Sequence, residues 1–348
     1  MQVCRQDLGD LQRAVQKFLI PCPFGCPTDI RTGEECSVFS QLVVVYERKE
    51  GKMSVFKGSA VAIVTPFKDS DQSVNYDAFA DLIDYQIDHG TDAIVVCGST
   101  GEAATMSEQE HLDVCKFCIE HVNKRVPVVA GTGSNRTLTA IELSKEVAGY
   151  GADGLLLISP YYNKGTQEGV YGHFKMIADA VPGTPVILYN VPSRTGGNVL
   201  PQTVARLVKD VPNIVGIKEA SGDIGQIVKL MTLCDGNIDL YSGNDDQVVP
   251  LMSMGGIGVI SVVANVAPEA MHDLCRRFFD GDVNGAAEMQ MKTHELFEAL
   301  FCEVNPIPVK KAVNLMGLNA GPLRMPLTEM TPGNTEKLRQ AMKNFGII

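Results

Sequence analysis

Lys218 lies inside an apolar stretch, Val215-Gly216-Ile217-Lys218-Glu219-Ala220. An ammonium carried into a protein interior loses hydration, which favours the neutral amine and lowers its pKa. A neutral amine attacks a ketone, and the resulting iminium is an electron sink from which an enamine forms. The competing reading is a structural lysine neutralised by a carboxylate, with Glu219 the obvious candidate. Alternation along a strand weakens that reading, because adjacent residues face opposite sides.

Three further segments carry groups that suit such an amine. Gly98-Ser99-Thr100-Gly101-Glu102 offers backbone N–H groups and two hydroxyls in a turn, a nest for a carboxylate. The same turn also reads as an ordinary helix start with a hydroxyl cap. Pro160-Tyr161-Tyr162-Asn163 supplies two phenols, and Tyr189-Asn190-Val191-Pro192-Ser193-Arg194 a phenol and a guanidinium. Taken singly, Tyr161 and Tyr162 also fit loop packing, Tyr189 a core tyrosine, and Arg194 a surface cation. What they share is position, since each closes or follows a strand-like run.

Eight such runs recur from residue 58 onward: 59–66, 93–98, 126–133, 154–160, 185–191, 215–220, 238–244 and 258–263. Helix-patterned segments separate them. Near-continuous apolar strands indicate a parallel sheet covered by helices. Eight units in a row predict a closed α/β barrel, the (β/α)8 or TIM barrel, whose reactive residues stand at the carboxyl ends of the strands. No G-x-G-x-x-G follows the first run, which speaks against a dinucleotide fold. The expected organisation is a leader over 1–52, a catalytic barrel over 53–266 and a C-terminal helical region over 267–348.

The chain has 348 residues, 45% of them hydrophobic, and a formal net charge of −11. That balance argues against nucleic acid or an anionic membrane as partner. No apolar run reaches the roughly 18 residues of a membrane span. Ten cysteines are present, four of them (Cys4, Cys22, Cys26, Cys36) in the leader. Cys97 reads as a buried free thiol, and Cys115 and Cys118 form a C-x-x-C on a helical pattern without a second pair. A reducing cytoplasm fits this usage, and no cluster with metal-ligand spacing stands out, so neither metal nor organic cofactor is expected. The leader matches neither texture. Lys49-Glu50-Gly51, encodable by a purine-rich ribosome-binding stretch, stands just before Met53. Met53 is therefore the expected translation start, with a disordered N-terminal arm as the alternative.

From about residue 55 the chain resembles the pyruvate-dependent class I aldolase family, which includes dihydrodipicolinate synthases and N-acetylneuraminate lyases. The resemblance rests on V-A-I-V-T-P-F at 61–67, G-S-T-G-E at 98–102, A-G-T-G at 130–133, P-Y-Y-N at 160–163 and G-I-K-E-A at 216–220. It continues in S-G-N-D at 242–245, G-V-I-S at 258–261 and N-P-I-P-V-K at 305–310. Within the family, Y-N-V-P-S-R-T-G at 189–196 is similar to the synthases, whose arginine in that loop holds the carboxylate of L-aspartate 4-semialdehyde. The lyases lack it, so Arg194 decides between branches.

The resemblance implies that Lys218 condenses with pyruvate, while Tyr189 transfers protons with Ser99 and Tyr162 as a hydroxyl relay. It implies that Thr100 holds the pyruvate carboxylate, and that Gly243 and Ile260 line the keto-acid pocket. The tyrosine matching Tyr162 reaches across a subunit interface in the family, implying a homo-oligomer, a dimer or a tetramer of two dimers. An interface pocket that binds inhibitory lysine in some members corresponds here to His111, Asn135 and Tyr161. Two positions depart from that pocket: Glu108 stands where histidine is common, and Thr139 where glutamate is. Weak or absent lysine inhibition is the expectation. Two other readings stay open on sequence alone, an aldolase for sialic acid or a 2-keto-3-deoxy sugar acid, and a catalytically dead barrel.

Overall fold

The apolar runs become strands because their β-branched residues pack well on a pleated surface buried on both sides. In the computed structural model, which describes residues 54–348, they form β1 (Gly58–Ala62), β2 (Ala93–Val96), β3 (Val128–Gly131) and β4 (Gly154–Ile158). These are followed by β5 (Val186–Asn190), β6 (Ile214–Glu219), β7 (Asp239–Ser242) and β8 (Gly258–Ser261). The strands pair in parallel in sequence order, and β8 closes on β1. The sequence-based expectations for the leader fall outside the described residues.

Each strand is followed by a returning helix: α1 (Tyr76–Asp88), α2 (Glu108–Val122), α3 (Thr137–Gly149), α4 (Gln167–Asp179), α5 (Pro201–Asp210), α6 (Ile224–Leu233), α7 (Val248–Ser253) and α8 (Pro268–Phe279). Local chemistry starts several of them. Ser107 accepts from the Glu110 amide at 3.2 Å to cap α2, and Asp223 accepts from the Gln226 amide at 3.0 Å to cap α6. α8 packs on β1 and β8 as the eighth helix of the ring.

Period-two alternation splits the core into two layers. Val61, Ile94, Val96 and Leu155 join the layer between strands and helices, whereas Ala60, Ala62, Val95, Leu156 and Ile187 fill the barrel interior. The phenol of Tyr241 donates to the Phe56 carbonyl at 2.8 Å with the two rings stacked, which plugs the amino-terminal end. Asn265 fastens the seam: its amide donates to the Ala62 carbonyl at 2.8 Å and its oxygen accepts from the Val64 amide at 3.1 Å.

After α8 come α9 (Val283–Lys292), α10 (His294–Leu300), α11 (Ile307–Leu315) and α12 (Pro332–Phe345). The expectation of helix alone after 267 needs correction, because residues 318–331 run without a helix. Arg324 in this segment donates from its backbone amide to Glu102 and from its guanidinium to Glu110, so it is tied to the loop after β2 by charge rather than by periodic packing.

Candidate active site

The carboxyl ends of β2, β3, β4 and β5 meet around a cavity of about 600 Å³ whose wall includes Ser99, Tyr189, Arg194 and Asn305. Lys218 is on β6, directly paired in register with Tyr189 on β5. Its side chain points into the barrel, only 6% exposed, with Nζ 4.5 Å from the Tyr189 ring centroid. Lys218 itself is not part of the cavity wall; the ring beside it is. Among the described residues no carboxylate pairs with Nζ. Burial pulls the amine down to about 8, opposed by Asp245 and assisted by Arg194.

Glu219 does not neutralise the lysine. It faces the opposite side of β6, where both its oxygens accept from Asn190 Nδ2 at 3.1 Å and one accepts from the Ser221 amide at 2.7 Å. This is the alternation expected of a strand, and it leaves Lys218 with Asp245 as its carboxylate influence. Asp245 is committed elsewhere: its Oδ2 accepts from the Val262 and Val263 amides at 2.9 and 3.2 Å. Its charge is therefore fixed near the amine without being spent on it.

Gly243 explains how the lysine fits. A Cβ there would lie 2.7 Å from the Ala220 Cβ and 3.2 Å from Lys218 Cε, so only glycine leaves the lysine stem its channel. Ile260 is fully buried on β8 within the interior layer, alongside Tyr189. Burial pushes the Tyr189 phenol up to about 12, with Arg194 pulling the other way. A phenol held in its protonated form is a proton donor to a developing alkoxide.

Thr100 is buried at the end of β2, and its Oγ1 accepts from Asn305 Nδ2 at 3.0 Å. The Asn305 carbonyl in turn accepts from Arg194 Nη2 at 3.1 Å. Asn305 thus bridges the residue expected to hold pyruvate and the one expected to hold the aldehyde. The sequence reading noted N-P-I-P-V-K as a family feature but gave Asn305 no role. The signal was its polar side chain opening a proline-rich helix start, and nothing local says where that helix docks. Lys310 of the same motif is a buried partner of Glu102, Nζ to Oε1 2.6 Å. Glu102 itself adopts a left-handed φ of 56°, so this pair pins the turn that carries Ser99 and Thr100.

Tyr162 stands apart from the rest. It is 86% exposed, has a φ of 72°, and its amide donates to the Thr195 carbonyl. It does not contribute to the cavity wall, so one chain alone does not bring Tyr162 to Tyr189. Tyr161, Glu108, His111 and Thr139 do line the cavity, while Asn135 is not part of its wall. The Thr139 hydroxyl accepts from Arg136 Nη1 at 2.7 Å, placing a cation where the resemblance puts a carboxylate. The absence of metal-ligand spacing also needs correction, since Cys97, His111 and Cys115 come together as a buried group. Cys97 is remote from the other two in sequence, and an H-x-x-x-C step on a helix is a weak signal by itself.

Comparison with known proteins agrees with this geometry. Residues 55–345 match the family described as the dihydrodipicolinate synthetase family. A 4-hydroxy-tetrahydrodipicolinate synthase of Lachnoclostridium phytofermentans is 53% identical over 296 residues, 85% of this chain and 100% of that protein. Among solved structures, a chloride-inhibited dihydrodipicolinate synthase from Acinetobacter baumannii complexed with pyruvate is 47% identical with a TM-score of 0.81, covering 84% of this chain and 99% of that one. The Cyanidioschyzon merolae enzyme with lysine bound is 40% identical with a TM-score of 0.83, covering 85% and 100%.

Proposed function

The chain belongs to the dihydrodipicolinate synthetase family, and from that premise we infer that it catalyses the 4-hydroxy-tetrahydrodipicolinate synthase reaction. It is a Schiff-base lyase that condenses pyruvate with L-aspartate 4-semialdehyde, a committed step towards diaminopimelate and lysine. The observation that carries the reading is Lys218: a buried amine with a lowered pKa, unpaired among the described residues, beside a protonated phenol.

The neutral Lys218 amine adds to the keto carbon of pyruvate, and the carbinolamine loses water to give the iminium. Tyr189 delivers the proton that lets hydroxide leave as water. Loss of a methyl proton forms the enamine, whose carbon attacks the aldehyde of the second substrate. The substrate amine then closes on the iminium carbon and displaces Lys218. Thr100 and the amides of its turn hold the pyruvate carboxylate, and Ser99 relays protons to Tyr189. Arg194 receives the carboxylate of the aldehyde, for which a planar, permanently charged fork is suited. Gly243 and Ile260 shape the space around the iminium. The lysine supplies the electron sink, so these steps call for no cofactor.

The exposure of Tyr162 supports an oligomer in which a partner subunit covers it and completes the relay, at least a dimer and in the family's manner a tetramer. We place the enzyme in the cytoplasm; no helix among the described residues is long and apolar enough to cross a membrane. Lysine inhibition is weak or absent, because Arg136 and Thr139 occupy the place of a carboxylate that would receive the inhibitor's amine. Half-inhibition at sub-millimolar lysine would overturn that part.

Borohydride reduction with pyruvate, followed by peptide mapping, tests the chemistry: a pyruvate-derived adduct on Lys218 is expected. Its absence in folded protein would remove the Schiff-base reading. Assays with L-aspartate 4-semialdehyde against N-acetylmannosamine test the branch, and turnover confined to the amino sugar would move the chain to the lyases.

A further inference from the structure

Behind the Ser99–Thr100 turn, the thiols of Cys97 and Cys115 and a ring nitrogen of His111 lie within 4.8 Å of one another, all three residues buried. We propose that Cys97, His111 and Cys115 form a binding site for one thiophilic divalent cation of the zinc type, with its fourth coordination position open to the active-site cavity.

The donor set is specific. Two thiolates would balance the charge of a divalent cation, and a Cys2His set with one open position is an established arrangement for zinc. The imidazole is already oriented for the task. His111 Nε2 is 2.7 Å from the Gly131 carbonyl, so that nitrogen donates its proton and Nδ1 keeps a lone pair, the usual outer support of a metal-bound histidine. His111 and Cys115 are one turn apart on α2 and share a face. Cys97 reaches them from the end of β2 in a left-handed conformation, φ 53°, that few non-glycine residues adopt. Gly131 permits the closeness, since a Cβ there would meet the Cys97 carbonyl at 2.4 Å.

The distances are within reach of a bound ion. Bonds of about 2.3 Å to sulfur and 2.1 Å to nitrogen set tetrahedral ligand separations of roughly 3.4–3.8 Å. From separations of up to 4.8 Å, the three atoms must therefore close by at most about 1.4 Å. Loading releases one proton from each thiol and requires no oxidant. Cys97 and His111 also line the cavity, so the open position would take a water or an anionic ligand there. Cys118, one turn beyond Cys115 on α2, is not part of the group.

The test uses the full-length, reduced protein stripped with a chelator and titrated with Co2+. The four leader cysteines are a second potential thiolate source, so the result is read as a difference between variants. Wild type should hold one more Co2+ per chain than Cys97→Ser/Cys115→Ser, with thiolate-to-cobalt charge-transfer absorption that Zn2+ abolishes. Cys118→Ser should match wild type. The single Cys115→Ala variant, a small change in a buried wall, should weaken binding at least about 100-fold and still form the pyruvate adduct on Lys218, which certifies its fold. Equal Co2+ uptake by wild type and Cys115→Ala would overturn the proposal. So would an equal loss in Cys118→Ser, or a Cys97–Cys115 disulfide in the protein as isolated.

Discussion

Two lysines are buried among the described residues, and they serve opposite ends. Lys310 on α11 is sealed against Glu102 at 2.6 Å and lies over the Phe67 ring. Lys218 on β6 is buried to a similar degree but has only the Tyr189 ring at close range and Asp245 at a distance. Burial lowers both amines; at Lys310 the Glu102 carboxylate works directly against it. The difference teaches that burial alone does not make a lysine reactive. Both amines are lowered to about 8, so what separates them is the partner: Glu102 holds the Lys310 amine in an ion pair, whereas withholding such a partner leaves the Lys218 amine available to attack.

Replacing each lysine by methionine separates the two roles most sharply. Lys218→Met should abolish the pyruvate adduct and lower kcat by at least about 10³-fold, with thermal stability unchanged or raised because a costly buried amine is gone. Lys310→Met leaves the Glu102 carboxylate buried and uncompensated, a loss of about 3–5 kcal/mol of stability. The protein that remains folded should still form the adduct. Denaturant unfolding and borohydride trapping on both variants check this. The comparison breaks if Lys310→Met is as stable as wild type, or if Lys218→Met still traps pyruvate.

The next effect concerns the residue that acts on the amine from outside the barrel. Arg194 lowers the Lys218 and Tyr189 pKa values through space, and the resemblance gives it the aldehyde's carboxylate. Arg194→Ala should cut kcat/KM for L-aspartate 4-semialdehyde by about 10²-fold, the size of a lost charged hydrogen-bond pair. Pyruvate trapping should survive. Equal losses in trapping and turnover would make Arg194 a support for the Lys218 pocket instead of a substrate ligand.

Much of this contrast was legible in the sequence, and the limits have physical causes. All eight strands were visible as β-branched runs, yet the readings overran at the carboxyl ends: 59–66 against Gly58–Ala62, and 93–98 against Ala93–Val96. Most of those extra residues are apolar, but beyond Ile63, which still donates to the Val95 carbonyl, they leave the ladder to shape the site, and composition does not record where hydrogen bonding stops. Lys218 stood out because a charge in an apolar strand violates the local pattern. Lys310 and Glu102 did not, since their pairing joins a strand-end turn to a helix 208 residues away. Asn305 and the Cys97–His111–Cys115 group were missed for the same reason, each being assembled by barrel closure or helix docking rather than by neighbours in sequence. Tyr162 was readable as a motif residue, but in the structure it is exposed and does not contribute to the cavity wall.

The smallest effect is the most direct probe of what keeps Lys218 different from Lys310. Asp245 stabilises the Lys218 ammonium by its charge, while its Oδ2 is held by the Val262 and Val263 amides. Attack on pyruvate needs the neutral amine, so the rate of adduct formation should rise with pH and level off above the Lys218 pKa near 8. Asp245→Asn removes the negative charge and keeps the shape. With less to stabilise the ammonium, the amine deprotonates more readily, and the midpoint should move to lower pH by roughly half a unit to one unit. Stopped-flow borohydride trapping across the pH range reads that midpoint separately from later steps. A shift to higher pH would mean that Asp245 acts mainly by holding the turn after β8, and a midpoint unchanged in both Asp245→Asn and Arg194→Ala would mean that burial alone sets the amine. In that case the two lysines would differ only in whether a carboxylate touches them, and the field around Lys218 would be incidental to its chemistry.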